Sequence, residues 1–260
     1  MSDPWRRRLV VALVPLLLGA LAACGDGGTR DGQLLVAAAS DLRPAFEELG
    51  RRHQEATGTS VTFTFGSSGL LARQIANGAP YDVFASADER FVDDVIAAGR
   101  GDAATKAHYA IGRIVVWTRP GADPAVAIED LEDDDIARIA IANPDHAPYG
   151  RAAEQALGSA GVLDGVRDRL VYGENISDTQ RLVQSGNADV GVIALSLALA
   201  SPEGDHVMVP ATLHEPLDQA LVVTAGSARS EAGRAFAALV VSEEGREVLR
   251  RFGFGPPAVR

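Results

Sequence analysis

The chain has 260 residues and a formal net charge of −11, and it contains a single lysine and a single cysteine. This charge argues against a nucleic-acid partner, because phosphate backbones are bound through basic surface. It also argues against long-range attraction of anions, so local hydrogen-bond donors would have to hold any anion. The lone cysteine excludes an internal disulfide, and the length suffices for one large domain or two small ones.

The first 23 residues have the pattern of a bacterial secretory signal. Three arginines at residues 6–8 precede an apolar run at 9–21, which is shorter than the roughly 20 residues that a transmembrane helix needs. The run ends in Leu-Ala-Ala-Cys, which resembles the lipobox of bacterial lipoproteins, where the signal is cut before the cysteine and the sulfur is lipidated. We therefore predict a signal peptide at 1–23 and a lipid anchor on Cys24, outside the cytoplasmic membrane. An ordinary signal peptide followed by an accidental cysteine is the alternative.

Beyond the signal, the sequence predicts a tether and then alternating strands and helices. Residues 24–32 are rich in Gly, Asp and Thr and have little to bury, which is typical of a flexible linker. The predicted strands are residues 34–38, 61–65, 81–85, 114–118, 139–142, 170–172, 190–194, 206–209 and 220–224. The predicted helices are residues 41–56, 70–77, 88–98, 150–157, 178–184, 231–241 and 243–251. This alternation predicts an α/β fold with largely parallel sheets.

Several junctions between a strand or turn and the next helix share one design. They are Ser40, the Gly-Ser-Ser-Gly turn at 66–69, and residues 86–88, 148–150 and 175–178. The first N–H groups of a helix have no intrahelical acceptor and lie at the positive end of its dipole. In open parallel sheets such junctions gather at the carboxyl ends of the strands. The pattern predicts an anion site without Lys or Arg, although each junction alone could be an ordinary helix cap.

The Gly-Ser-Ser-Gly turn also leaves open a secreted hydrolase with Ser67 or Ser68 as nucleophile. Two features weigh against this alternative. The turn lacks the G-x-S-x-G spacing of a nucleophile elbow, and no His–Asp pair can be assigned to it.

The ordered set of short motifs resembles that of the molybdate-binding proteins of ABC importers, the ModA family. The matching segments are Ala-Ala-Ala-Ser at 37–40 and residues 65–74, 78–88, 143–151, 173–177, 186–191 and 251–254. The resemblance implies a two-lobed periplasmic-binding-protein fold of type II with the ligand in the cleft. It places residues 33–111 and 222–260 in the first lobe and residues 112–221 in the second, with crossovers near 112–118 and 219–224.

The same resemblance implies a tetrahedral oxyanion as ligand: molybdate, and with it tungstate. Ser40 and Ser68 would donate hydrogen bonds from hydroxyl and backbone, and Ala87, Tyr149 and Ile176 would donate from backbone N–H. The first three residues belong to one lobe and the last two to the other. Closure of the lobes would therefore complete the site.

Two points qualify this predicted site. Some family members supply a tyrosine hydroxyl where this chain has Ala194, so either the Tyr149 hydroxyl replaces it or the site has fewer donors. Molybdate carries no proton at neutral pH, whereas phosphate usually keeps an O–H that needs an acceptor. We therefore expect phosphate to be excluded, unless Asp41 or Asp178, which lie close to the junctions, accept that hydrogen.

The sequence thus predicts a monomeric lipoprotein that binds molybdate and hands it to an ABC permease and its ATPase. We expect no enzymatic activity, no cofactor and no bound metal cation, since molybdenum would be bound only as molybdate. The alternatives are the same fold with sulfate, phosphate or an organic anion, the serine hydrolase, and a surface receptor that signals without transport.

Overall fold

Two five-stranded sheets with helices packed against them make up residues 32–258, the part of the chain that the computed structural model describes. The predicted signal peptide at 1–23, the lipidation site Cys24 and the predicted tether up to residue 31 lie outside the described residues. Within residues 32–258, none of the helices has the length and apolarity needed to cross a bilayer.

The elements follow one another largely as the apolar runs predict. The strands are β1 (Leu34–Ala39), β2 (Val61–Gly66), β3 (Val83–Ser86), β4 (Ala107–Gly112), β5 (Ile114–Thr118), β6 (Ile139–Ala142), β7 (Leu170–Gly173), β8 (Val190–Ala194), β9 (Asp205–Met208) and β10 (Leu217–Val223). The helices are α1 (Arg43–Thr57), α2 (Ser68–Ala76), α3 (Glu89–Ala97), α4 (Pro148–Ser159), α5 (Leu163–Val166), α6 (Ile176–Gln184), α7 (Leu195–Leu199), α8 (Ser230–Val241) and α9 (Glu243–Arg251).

Three of these elements, β4, α5 and α7, are absent from the predicted set. Strand β4 is an edge strand of its sheet, and its positions mix buried and half-exposed residues, so it has no apolar run. Helices α5 and α7 have only 4 and 5 residues, which is too short for helical periodicity to emerge.

The strands are divided between two sheets. The first has the order β2-β1-β3-β10-β4, and the second has the order β7-β6-β8-β5-β9. Strand β1 is parallel to β2 and β3, and β6 is parallel to β7 and β8, whereas β5 and β10 are antiparallel to their neighbours. The predicted two-lobed α/β fold is confirmed. Each sheet is mixed rather than wholly parallel, because one strand, β10 in the first sheet and β5 in the second, runs opposite to its neighbours.

The chain passes between the sheets twice. It leaves the first sheet at Arg113, between β4 and β5, and returns through residues 209–216, between β9 and β10. Strand β10 pairs with β3 and β4 from Leu217 onward, so residues 217–221 lie in the first sheet and not in the second lobe, where the sequence places them. The first lobe is therefore built on β1–β4 and β10, and the second lobe is built on β5–β9.

The apolar face of α1 shows how helices are fixed to these sheets. Phe46, Leu49 and His53 follow at helical spacing and are almost completely buried. The ring of Phe46 meets that of Phe236 on α8 edge to face, with 5.7 Å between the ring centroids. His53 packs on the same ring, and its burial lowers the pKa of the imidazole.

Helix α4 begins directly against the end of β6. Pro148 occupies its first turn, where a missing N–H breaks no helical hydrogen bond. Gly150 follows, and a Cβ atom there would overlap the carbonyl oxygen of Ala142. The lack of a side chain at this position therefore allows the start of α4 to lie close to the sheet.

We expect Gly150→Ala to lower the free energy of unfolding by about 1–3 kcal/mol, because the methyl group would push α4 away from β6. Gly158→Ala on the same helix is the matched control. Its Cβ would lie 3.8 Å from the nearest heavy atom, on Leu163, so it should stabilise the helix by up to about 1 kcal/mol. Urea unfolding followed by circular dichroism measures both changes, and equal effects would contradict the close-approach argument.

Candidate anion-binding site

Residues from both lobes line one small cavity between the sheets. Ser40 follows β1, Ser68 begins α2, and Ala87 lies between β3 and α3, all in the first lobe. Tyr149 lies in the first turn of α4 and Ile176 begins α6, both in the second lobe. Each of the five is at most 3 % exposed. The structure brings all five predicted positions together, while their contact with an anion stays a prediction.

Helix starts supply hydrogen-bond donors to this cavity. Helices α2, α4 and α6 begin at it, and their first N–H groups have no acceptor within the helix. The positive ends of their dipoles add a favourable field for an anion. The N–H of Ala87 donates to the Ser68 hydroxyl oxygen at 3.1 Å, which leaves that hydroxyl its own hydrogen to donate.

The lining of the cavity is uncharged apart from one carboxyl group, that of Asp41. Among the described residues that form it, none is lysine or arginine. The cavity is small: the centre of a water-sized sphere can occupy only about 10 Å³ of it, which is about the space that one water molecule needs. No group of three His, Cys, Asp or Glu within residues 32–258 is placed to hold a metal ion. The arrangement suits a small anion bound by neutral donors.

Asn175 joins the two lobes at the edge of the cavity. Its side-chain oxygen accepts from the Ser40 hydroxyl at 3.1 Å and also caps α6 by accepting from the N–H of Ser177 at 3.0 Å. The Ser177 hydroxyl in turn donates to the carbonyl of Ser40 at 3.2 Å. An Asn before a helix predicts the cap, but the sequence carries no signal for its bond to Ser40.

A second set of contacts joins the lobes at the Gly-Ser-Ser-Gly turn. The carbonyl oxygen of His146 accepts from the Ser67 hydroxyl at 2.5 Å and from the N–H of Gly69 at 3.0 Å. The imidazole Nδ1 of His146 lies 2.9 Å from the same hydroxyl. Because Ser67 donates its hydrogen to the backbone carbonyl, the pair acts as a contact between lobes and not as a nucleophile with its base.

An ion pair joins the lobes beside the cavity. Arg151 on α4 donates to Asp88 at 2.5 Å, and Asp88 also caps α3 and pairs with Arg90 at 2.8 Å. The Asp88 side chain is only 10 % exposed, so its contact with Arg151 is weakly screened by solvent. The sequence indicates Asp88 as a helix cap but gives no sign of its partner in the other lobe.

Asp41 lies at the base of the cavity and is completely buried. Its Oδ2 accepts from the Tyr149 hydroxyl at 3.0 Å and from the amide of Gln219 at 2.8 Å. Burial raises the pKa of this carboxyl to about 6, against the opposing effect of these two hydrogen bonds. The pKa of the Tyr149 hydroxyl is raised well above its usual value by burial and by Asp41, so this hydroxyl remains protonated.

These contacts settle where the Tyr149 hydroxyl points. Its hydrogen is donated to Asp41, and its oxygen accepts from Gln219 at 3.2 Å. The Tyr149 hydroxyl therefore does not replace the tyrosine hydroxyl that some family members have at the position of Ala194. The structure agrees with the other expectation, a site with fewer donors. The backbone N–H of Tyr149, at the start of α4, is unaffected by this arrangement.

The two carboxylates considered as acceptors for a protonated anion differ in position. Asp178 is not part of the cavity lining; it accepts from the Asn175 amide at 3.0 Å and pairs with Arg181. Asp41 does contribute to the lining, although its Oδ2 already accepts two hydrogen bonds. Asp41 is therefore the one of the two whose charge an anion in the cavity would meet.

Comparison with known proteins gives a consistent result. Residues 34–255 match the family described as bacterial extracellular solute-binding proteins. The chain is 33 % identical over 226 residues to the molybdate-binding protein ModA of Rhodobacter capsulatus. The aligned region covers 86 % of this chain and 88 % of the relative. The chain is 28 % identical over 260 residues to YvgL of Bacillus subtilis (strain 168), a putative ABC transporter substrate-binding lipoprotein, spanning 94 % of this chain and 96 % of the relative.

A solved structure agrees with these relatives. The periplasmic molybdate-binding protein of Azotobacter vinelandii superimposes with a TM-score of 0.80 and is 31 % identical, over 86 % of this chain and 100 % of that chain. The resemblance of the motifs and the two-lobed fold are thereby confirmed. The family and these relatives are binding proteins and not enzymes, which removes the serine hydrolase alternative.

The ion pair between Arg151 and Asp88 gives a prediction about opening of the cleft. We expect Arg151→Gln to weaken closure by about 1 kcal/mol, which corresponds to about a fivefold larger open population. The amide of Gly69 bonds to His146 across the cleft, so its hydrogen exchange, measured by NMR, should become about fivefold faster. Arg167→Gln is the control, because this arginine pairs with Asp164 within the second lobe, and it should leave the exchange rate unchanged. Equal acceleration by both variants would show that Arg151 does not hold the lobes together.

Proposed function

The chain belongs to the bacterial extracellular solute-binding proteins and, within them, to the ModA family, and we propose that it captures molybdate and delivers it to the permease and ATPase of an ABC importer. Like its family, it acts outside the cytoplasm and binds its solute without converting it. The observation that supports molybdate most directly is the small cavity at which α2, α4 and α6 begin and which Lys and Arg side chains do not line.

The chemistry of the anion fits the donors of this cavity. A fully deprotonated tetrahedral oxyanion only accepts hydrogen bonds, so N–H and hydroxyl groups can satisfy all of its oxygens. We propose that Ser40 and Ser68 donate from hydroxyl and backbone, and that Ala87, Tyr149 and Ile176 donate from the backbone. The Ser40 hydroxyl and the Ala87 N–H would exchange their present acceptors, Asn175 and Ser68, for the anion. Tungstate has the same shape and charge as molybdate and is proposed as a second ligand.

The place of action follows from the N-terminal pattern. We propose that the chain is cleaved before Cys24 and anchored to the membrane by a lipid on that cysteine. The name of the B. subtilis relative, a putative substrate-binding lipoprotein, supports this anchor. The bound anion would then remain close to the permease that receives it, with the protein acting as a monomer and without a cofactor.

Thermal unfolding of residues 25–260 with added oxyanions tests the ligand. Molybdate or tungstate at a thousand times its dissociation constant should stabilise the fold by roughly 4 kcal/mol, or about ten degrees in the unfolding midpoint. Sulfate and phosphate at the same concentration should shift the midpoint little. A larger shift with sulfate or phosphate would assign the site to that anion instead, and no shift with any of them would contradict an oxyanion site.

A pair of variants connects this stabilisation to the cavity. Ser68→Ala removes one hydroxyl donor to a charged ligand, which should weaken molybdate binding by about 10- to 100-fold. Ser185→Ala, at the exposed end of α6, is the matched control and should bind as the natural chain does. Unchanged affinity in Ser68→Ala would remove that hydroxyl from the site.

The proposed anchor is tested in cells. We expect Cys24→Ala to abolish incorporation of a labelled fatty acid and to move the protein out of the membrane fraction, because no thiol remains to be acylated. Thr29→Ala, in the predicted tether, should stay lipidated and membrane-bound. Continued membrane association of Cys24→Ala would show that something other than this cysteine anchors the chain.

A further inference from the structure

The carboxyl group of Asp41 borders the cavity without a cationic partner. The residue lines the cavity, it is fully buried, and among the described residues no ion pair joins it to an arginine, lysine or histidine. Its Oδ1 is buried without any hydrogen-bond partner in this part of the chain. A negative charge at this place therefore has no cation beside it, and only the hydrogen bonds to Oδ2 and the backbone N–H groups of Asp41 and Leu42 oppose the effect of burial.

The groups that face this carboxyl are neutral hydroxyls and an amide. Tyr149 on α4 and Gln219 on β10 donate to Oδ2 at 3.0 and 2.8 Å. Tyr109 on β4 lies behind them and donates to the side-chain oxygen of Gln219 at 3.0 Å. Ser196 on α7 donates to the carbonyl oxygen of Asp41 at 2.7 Å and leaves the carboxyl untouched.

Two further helices, α6 and α1, pack near Asp41, and on each of them an acidic and a basic side chain pair within the helix. On α6, Asp178 pairs with Arg181. On α1, Arg43 lies 3.5 Å from Glu47, and both side chains are about half exposed. None of them forms an ion pair with Asp41, so the ionised carboxyl would meet the charge of a bound anion without an intervening cation.

Two negative groups in one buried space repel each other strongly, because the effective dielectric constant there is far below that of water. The carboxyl cannot turn away easily, since Tyr149 and Gln219 hold its Oδ2. These two groups are themselves closely packed: a Cβ atom on Gly112 would overlap the Tyr149 hydroxyl and would lie 2.8 Å from the amide nitrogen of Gln219. Addition of a proton to the carboxyl removes the repulsion without moving any of these groups.

From this arrangement we infer that capture of the oxyanion is coupled to the uptake of one proton by Asp41, which makes this residue a determinant of affinity at the site. The inference depends on the proposed function, since it concerns the same cavity. The reaction takes one oxyanion and one proton from solvent and gives a complex in which Asp41 is a neutral carboxylic acid. The protonated carboxyl can keep Oδ2 as acceptor for Tyr149 and Gln219 and hold the proton on Oδ1, which has no partner.

The sign of the pH dependence follows from the protonation of Asp41 in each state. Burial raises the pKa of Asp41 to about 6 in the protein by itself, and the charge of a bound anion raises it further. The protonated form therefore binds better. The dissociation constant should be constant below about pH 6 and should rise by up to about tenfold per pH unit above it.

Isothermal titration with molybdate, at pH 7 in buffers of different ionisation enthalpy, counts the protons taken up. For the natural chain we expect more than about half a proton per anion, and about a tenfold or larger weakening between pH 6 and pH 8. Asp41→Asn should take up no proton and should bind equally well at both pH values. His146→Gln is the control for the titratable imidazole near the cavity, and it should keep the proton uptake.

Tyr149→Phe provides a second variant that does not alter the carboxyl itself. It keeps the backbone N–H but removes a hydrogen bond that lowers the pKa of Asp41. The pH at which affinity begins to fall should therefore move upward, and uptake at pH 7 should decrease. A merely structural role of Asp41 would not shift this midpoint.

The outcomes separate the inference from the function on which it depends. Tight binding of molybdate with no proton uptake would overturn the inference alone. Uptake that persists in Asp41→Asn, or that disappears in His146→Gln, would overturn it by assigning the proton to another group. Absence of binding of any tetrahedral oxyanion at pH 6 would overturn the proposed function and the inference with it.

Discussion

The first N–H groups of α2, α4 and α6 have no acceptors within their own helices, and the two lobes are arranged so that these helices begin at one small cavity. The N–H groups of Gly69 and Ser177 donate to His146 and Asn175, and a buried donor that is left over needs a partner, which makes the cavity suited to an acceptor-only ligand. The donors are neutral, so the site does not depend on the overall charge. A strongly acidic chain could in this way hold the proposed anion, although its long-range field would repel it.

The groups proposed to bind the ligand are largely different from those that hold the lobes together. The five positions proposed as donors face the cavity, while the contacts of Asn175 and His146 and the pair of Arg151 with Asp88 lie at its edge. The strength of closure can therefore change without a change in the donor set. Ser40 and Tyr149 belong to both groups. Ser40 lines the cavity and bonds to Asn175 of the second lobe, and the Tyr149 backbone lies at the cavity while its hydroxyl reaches the first lobe.

A buried carboxyl group such as that of Asp41 costs stability, and a core of apolar residues would avoid it. The hydrogen bonds from Tyr149 and Gln219 offset part of this cost. Buried ionisable groups with displaced pKa values tend to occur at functional sites. The position of Asp41, next to Ser40 and between the two lobes, places its charge where it would act on the proposed ligand.

The sequence by itself determined the alternation of strands and helices, the family, and the five positions that meet at the cavity. The alternation depends on neighbours along the chain, such as the apolar face of α1, whereas the family and the five positions follow from the ordered motifs that resemble those of the ModA family. Only the tertiary structure decided that β10 lies in the first sheet, that the Tyr149 hydroxyl is donated to Asp41, and that Ser40 bonds to Asn175. The partners in the last contact are 135 residues apart, and such contacts arise from the packing of the two lobes, which no local pattern of residues records.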